Sequence, residues 1–208
     1  MGMGKRGKRY GSIGAPIETR WNGNDRHMPN PLAHWKPSAT IAGAPVALHP
    51  WLADPCSLTA RIMAHCQHFR VQVIREIHAH PHLDEHALID VPLGRHAWIR
   101  EVLLIADDQP VVFAHSALRL EDLTGAWHMA RAIGSRPLGA ALFADPGIRR
   151  GDLHAARIAP PHPLHRQASQ ASGLALPLLW GRRSRFTRLG RPLLVTEVFL
   201  PGIFGLKA

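Results

Sequence analysis

Arg100 and Glu197 each stand as the one charge in an otherwise apolar row of a strand-like segment. Around Glu197, the run Pro192–Leu200 alternates at period two. It places Leu193, Val195, Glu197 and Phe199 on one face and Leu194, Thr196, Val198 and Leu200 on the other. Around Arg100, the residues Trp98, Val102 and Leu104 share its face. A carboxylate or guanidinium in such a setting is expensive to bury unless it is paired or hydrogen-bonded. Two arrangements meet that need. Arg100 and Glu197 could form a buried ion pair with each other. Alternatively they could close the two ends of a pocket, with Arg presenting a planar fork to a ligand carboxylate and Glu exchanging a hydrogen bond or a proton with a ligand hydroxyl.

Two other patterns compete. His82-Leu83-Asp84-Glu85-His86 fits the inverted zinc-peptidase signature H-x-x-E-H, with His78 and His80 just upstream. Pro81 at its edge and the lack of a third ligand at metal-site spacing count against it, and fifteen histidines make chance pairs common; no metal is expected. Arg182, Arg183 and Arg185 form a basic cluster around Ser184, but they alternate across both faces of a presumed strand. There is no G-x-S-x-G or phosphate-loop motif.

The elements that must position Arg100 and Glu197 can be drawn from periodicity. Strands are expected at Phe69–Ile77, His96–Ala106, Val111–Leu118, Asp152–Ile158, Leu179–Arg188 and Pro192–Leu200, the last two joined by a turn at Leu189-Gly190-Arg191. Helices are expected at Trp51–His68, Glu121–Ile133 (with Gly134 as its cap) and Pro137–Phe143. Residues 159–176 read as a surface loop with at most a short helix. The predicted fold is α+β, a single antiparallel sheet of about six strands with helices.

Composition narrows the class. A net charge of +10 permits nucleic acid, an anionic surface or anionic small molecules as partners. Half of it lies in residues 1–45, where seven Lys/Arg face only Glu18 and Asp25. That segment is rich in Gly and Pro, lacks periodicity and is expected to be a disordered or loosely attached extension before a domain spanning 46–208. Cys56 and Cys66 fall in one predicted helix, roughly 15 Å apart along its axis, too far to pair; a reducing compartment follows. No apolar run reaches transmembrane length and no signal sequence is evident, so a cytoplasmic protein is expected.

Several segments together resemble the chorismate pyruvate-lyase family, in the family's order. They are Ser57-Leu58-Thr59, Val73-Ile74-Arg75-Glu76, Trp98-Ile99-Arg100-Glu101, Arg136-Pro137-Leu138-Gly139, Leu179-Trp180-Gly181-Arg182-Arg183-Ser184, and Thr196-Glu197-Val198-Phe199-Leu200-Pro201. The resemblance covers roughly residues 50–204. It implies an antiparallel sheet whose ligand is enclosed under helical flaps. It also implies a cofactor-free monomer that converts chorismate to 4-hydroxybenzoate and pyruvate, the first step of ubiquinone biosynthesis, without nucleic-acid binding or membrane insertion. By the same resemblance Arg100 and the Leu138 backbone N–H hold the ring carboxylate, Glu197 meets the hydroxyl end, and Leu58 contacts the ligand by backbone and packing. Arg100 and Glu197 are the candidate catalytic residues, and one of Arg182, Arg183 or Arg185 is the candidate for the pyruvyl carboxylate. The N-terminal extension and an insertion at about 159–176 depart from the family pattern. A non-catalytic effector- or 4-hydroxybenzoate-binding module of the same fold is the alternative.

Overall fold

The computed structural model describes residues 33–38, 42–160 and 162–206. Eight strands form one antiparallel sheet: β1 (Lys36–Pro37), β2 (Phe69–Ala79), β3 (Ala97–Ala106), β4 (Gln109–Arg119), β5 (Ile148–Arg150), β6 (His154–Ile158), β7 (Leu179–Arg188) and β8 (Arg191–Phe199). The spatial order is β1-β6-β7-β8-β4-β3-β2, and β5 extends the β6 edge by pairing with the far end of β7. Five helices complete the fold: α1 (His49–Ala53), α2 (Leu58–Ala64), α3 (His128–Arg131), α4 (Leu138–Ala144) and α5 (Pro163–Ser172). None of the described helices is long and apolar enough to cross a membrane.

The six expected strands are present, and two short ones join them. β1 lies inside the segment expected to be a loose extension, so ordered chain begins before Val46; residues 1–32 lie outside the described residues. Trp35 fixes this edge by donating its indole N–H to Asp84 and lying under the Arg183 guanidinium. The helix expected over 51–68 is two helices. Asp54 is extended (ψ 117°) because it precedes Pro55, and the α region is disfavoured there. Ser57 then caps α2, its Oγ accepting from the Ala60 N–H. The helix expected over 121–133 is broken by Gly125 into a 3-10 turn at Leu120–Thr124 and the short α3. The stretch expected as a surface loop holds the ten-residue α5, with Pro163 in its first turn and Gly173 left-handed (φ 69°) after its end. Cys56 and Cys66 are free thiols.

Register determines what each sheet face carries. Arg100, Ser116, Val195 and Ser184 are cross-strand partners in one row, and Val102, Ala114, Glu197 and Arg182 form the next row on the same face. These two rows make a polar band between two apolar clusters. Leu104, Val112, Trp180 and Phe199 pack under α1 and α2 on one side. Trp98, Leu118, Phe186 and Leu193 pack with Trp127 and α4 on the other.

The opposite face repeats the plan. Glu101, His115, Thr196 and Arg183 form a polar row between two further apolar clusters, one of them covered by α5. Here His115 is sandwiched between carboxylates, its Nδ1 3.1 Å from Glu101 and its Nε2 3.3 Å from Glu85, while Arg75 grips Glu101 with two bonds of 2.6 and 2.7 Å. Burial opposes charge on His115, but Glu85 and Glu101 outweigh it and push the imidazole up to about 10 from 6.5. Burial likewise raises the Glu101 carboxyl, yet hydrogen bonds from His115 and Arg75 prevail and hold it at about 2 instead of 4.5. Buried charges of this kind are tolerable only as a complete set.

A raised imidazole stabilises the fold fully below the unfolded-state value and loses that contribution as pH rises through the folded value. A depressed carboxyl does the reverse on the acid side. Thermal unfolding is therefore expected to show a plateau from about pH 4.5 to 6.5, a decline in Tm of several degrees between 6.5 and 10, and a steep fall towards pH 2. His115→Gln is expected to flatten the alkaline decline; an unchanged alkaline slope would show that His115 is not the titrating group. A second expectation concerns the 3-10 turn at Pro201–Gly205. A Cβ on Gly202 would meet the Pro110 carbonyl oxygen at 2.6 Å. Gly202→Ala is expected to lower stability by roughly 1–3 kcal/mol in urea titration.

Candidate active site

The polar band of the first sheet face floors a narrow cavity of about 40 Å³, space for on the order of three waters. Its roof is α2 and α4, which meet where Gly139 approaches Thr59; a Cβ there would lie 3.1 Å from the Thr59 Oγ1. Arg100, Glu197, Leu58 and Leu138 all line this one cavity. Arg100 and Glu197 do not pair with each other. Two strands and one step of register separate them, roughly 12 Å between backbones.

Each charge has a different answer to burial. Arg100, 2% exposed, donates one Nη2 hydrogen bond to the Gly134 carbonyl in the loop before α4. Its Nε makes no hydrogen bond, the nearest carboxylate oxygen being that of Glu76 at 3.7 Å. Burial lowers the guanidinium from its usual range and Glu76 partly restores it. Glu76 is itself engaged by the Trp98 indole N–H. Arg100 therefore keeps an unused, desolvated donor beside the cavity, which is costly unless a ligand meets it.

Glu197 accepts from Arg182 Nε at 2.7 Å through Oε2 and leaves Oε1 without a partner among the described residues. Arg182, 1% exposed, spends its Nη1 on the carbonyls of Trp51 and Asp54, at 2.7 and 2.8 Å. These are orphan carbonyls at the end of α1, so Arg182 also caps that helix.

Leu138 is the first residue of α4, after the extended Pro137. Its N–H is one of the first-turn donors that have no intrahelical acceptor. Leu58 begins α2 and is buried.

Of the three arginines considered for a second anionic group, only Arg182 faces the cavity. Arg183 lies on the opposite sheet face with Asp84, and Arg185 is half-exposed there beside Asp90. The cation that sequence reasoning missed is Arg150. It stands on β5, a three-residue strand too short to show alternation. Ser116 and Ser184 were likewise invisible as site residues until register put them in the Arg100 row.

The H-x-x-E-H pattern does not assemble as its spacing suggests. His86 turns away to the Val91 carbonyl. His82 and Glu85 instead face His115 on the opposite side of the sheet from the cavity, within the Glu101–Arg75 network.

Comparison with known proteins agrees with this architecture. Residues 28–207 match the sequence profile of the family described as "Chorismate lyase". A "Probable chorismate pyruvate-lyase" of Aromatoleum aromaticum is 52% identical over 164 residues, 78% of this chain and 89% of that protein. One of the same description from Nitrosomonas eutropha is 41% identical over 84% of this chain and 97% of its own length. Among solved structures, the effector domain of PhnF from Mycobacterium smegmatis superposes with a TM-score of 0.51 at 13% identity, over 70% of this chain and 89% of that one. A GntR-family transcriptional regulator from Bacillus cereus gives 0.50 at 13% identity, over 68% and 98%. These two likenesses show a shared fold and no more. The profile match, which takes in every described residue, and relatives of 41 and 52% identity make this chain a member of the chorismate lyase family.

Proposed function

We propose that this chain is a chorismate pyruvate-lyase, converting chorismate to 4-hydroxybenzoate and pyruvate without a cofactor, at the start of ubiquinone biosynthesis. The observation that carries the reading is the inventory of the cavity: three guanidiniums, of Arg100, Arg150 and Arg182, against the single carboxylate of Glu197. Chorismate is a dianion, and a desolvated surplus of two positive charges is complementary to it.

In the proposed complex the ring carboxylate lies against Arg100 Nε and the Leu138 N–H. Leu58 and the other apolar lining residues press on the ring faces. The hydroxyl on C4 reaches Glu197 Oε1. The reaction removes the proton from C4 and breaks the bond between C3 and the ether oxygen, so that a C3–C4 double bond completes the aromatic ring. The oxygen leaves with the side chain as enolpyruvate, which gains a proton to become pyruvate. Among the described residues lining the cavity, Glu197 is the only side chain suited to accept the C4 proton; guanidiniums stay charged and the serine and threonine hydroxyls are weak bases. Aromatisation supplies the driving force, so the protein's work is positioning, desolvation and stabilisation of the departing enolate.

The cavity is too small for the substrate as it stands, so α2 and α4 have to part to admit it. That places ligand exchange, rather than chemistry, as the step sensitive to how those helices are held.

Purified protein incubated with chorismate is expected to release pyruvate and 4-hydroxybenzoate in equal amounts over many turnovers. A non-catalytic binding module would release neither. Glu197→Gln keeps the shape and a hydrogen bond to Arg182 but removes the base; it is expected to lower kcat by on the order of 10²–10⁴. Arg100→Ala is expected to lower kcat/KM by roughly 10- to 150-fold. Near-normal turnover in both variants would refute the assignment of these residues.

A further inference from the structure

We infer that Arg150 is the residue that recognises the enolpyruvyl carboxylate of chorismate, and so distinguishes substrate from product in this cavity. The inference rests on the reading of the cavity as a chorismate site and identifies the contact which that reading leaves open.

The pairing pattern inside the cavity singles out Arg150. Glu197 is already shared with Arg182, whose Nε and Nη1 are committed to Glu197 and to the end of α1. Arg100 stands where the ring carboxylate is expected. Arg150 has no carboxylate within ion-pair distance among the described residues. Its Nε donates to Ser184 Oγ at 2.8 Å and its Nη1 to the Pro55 carbonyl at 2.5 Å, both neutral acceptors. Its Nη2 makes no hydrogen bond among the described residues. The Phe143 and Phe186 rings flank the guanidinium with centroids at 5.5 and 5.6 Å. Burial and the nearby Arg182 disfavour that charge and lower the guanidinium from its usual range, while Glu197 and Asp54, beyond ion-pair distance, partly restore it. A half-buried guanidinium with an idle donor and no directly paired carboxylate is suited to receive one.

Its location fits the substrate's geometry. Ser184 and Arg100 are the two ends of a single cross-strand row, with Val195 and Ser116 between them. Across three strand spacings that is roughly 14 Å at the backbone; Arg100 reaches in from the row itself, and Arg150, on β5 opposite Phe186, meets its far end at Ser184. A ligand with two carboxylates, one on the ring and one on a side chain, spans the gap between the guanidiniums. Glu197 sits in the neighbouring row, beside the carbons where the bonds change. 4-Hydroxybenzoate has only the ring carboxylate and leaves Arg150 unmatched. The site is thus built to hold chorismate by two charges and its aromatic product by one.

The experiment compares the two ligands in the same variants. In Arg150→Met and Arg150→Lys, KM for chorismate is measured by pyruvate release and Kd for 4-hydroxybenzoate by tryptophan fluorescence. The ratio of KM to Kd is expected to rise roughly 10- to 150-fold in Arg150→Met and by less in Arg150→Lys. General damage to the cavity or roof would weaken both ligands together and leave the ratio unchanged. An unchanged ratio, whether both constants move or neither does, overturns the inference. Failure of the unaltered protein to release pyruvate would instead overturn the functional reading beneath it. If that protein binds chorismate without turnover, competition against 4-hydroxybenzoate yields the same ratio and tests Arg150 in the same way.

Discussion

The cross-strand pair of Arg182 and Glu197 is the interaction on which the rest of the structure depends. The two residues are direct partners across β7 and β8, in the middle of a sheet covered on both faces. Arg182 could not be buried there unpaired, and Glu197 supplies the charge that makes it tolerable. Arg182 then holds the carbonyls at the end of α1, which sets the turn through Asp54 and Pro55 and hence the position of α2 over the sheet. One ion pair thus joins the floor of the cavity to its roof and still leaves a carboxylate oxygen of Glu197 free for chemistry.

The other two arginines follow the same principle. Arg100 ties the loop before α4 to β3 through the Gly134 carbonyl, and Arg150 ties the segment before α2 to β7 through Pro55 and Ser184. Each guanidinium has five donors, enough to brace a covering segment and keep one for a ligand. A dianion arriving between Arg100 and Arg150 would satisfy donors that already hold the roof down. The opposite sheet face carries its own charge set around His115, adjacent in sequence to Ser116 and, across the ladder, to the residues flanking Arg100 and Glu197. It links β2, β3 and β4 from behind the rows that floor the cavity.

Much of the fold was legible in the sequence because alternation and turn chemistry report directly on strands. β2, β3, β4, β6, β7 and β8 all stand within about two residues of their expected limits. The helices were less legible. The spacing of Leu58, Ile62 and Cys66 marks α2 alone, and the helix drawn from Trp51 ran through Asp54-Pro55, where the chain breaks; α5 hid in a stretch of Pro, Ser, Ala and His. Of the site, Arg100 and Glu197 were visible because a lone charge on an apolar row is an anomaly that periodicity exposes. Arg150 broke no pattern, since its strand has three residues and no period. Its place beside the cavity emerges only from the pairing of β5 with β7, and a three-residue strand carries too little hydrophobic pattern to specify that register.

The orientation of bound product tests this arrangement most directly. In a crystal structure with 4-hydroxybenzoate, the ligand carboxylate is expected against Arg100 and the Leu138 N–H, with the hydroxyl at hydrogen-bond distance from Glu197 and Arg150 untouched. A ligand turned end for end, with its carboxylate on Arg150, or one lodged outside the cavity, would contradict it.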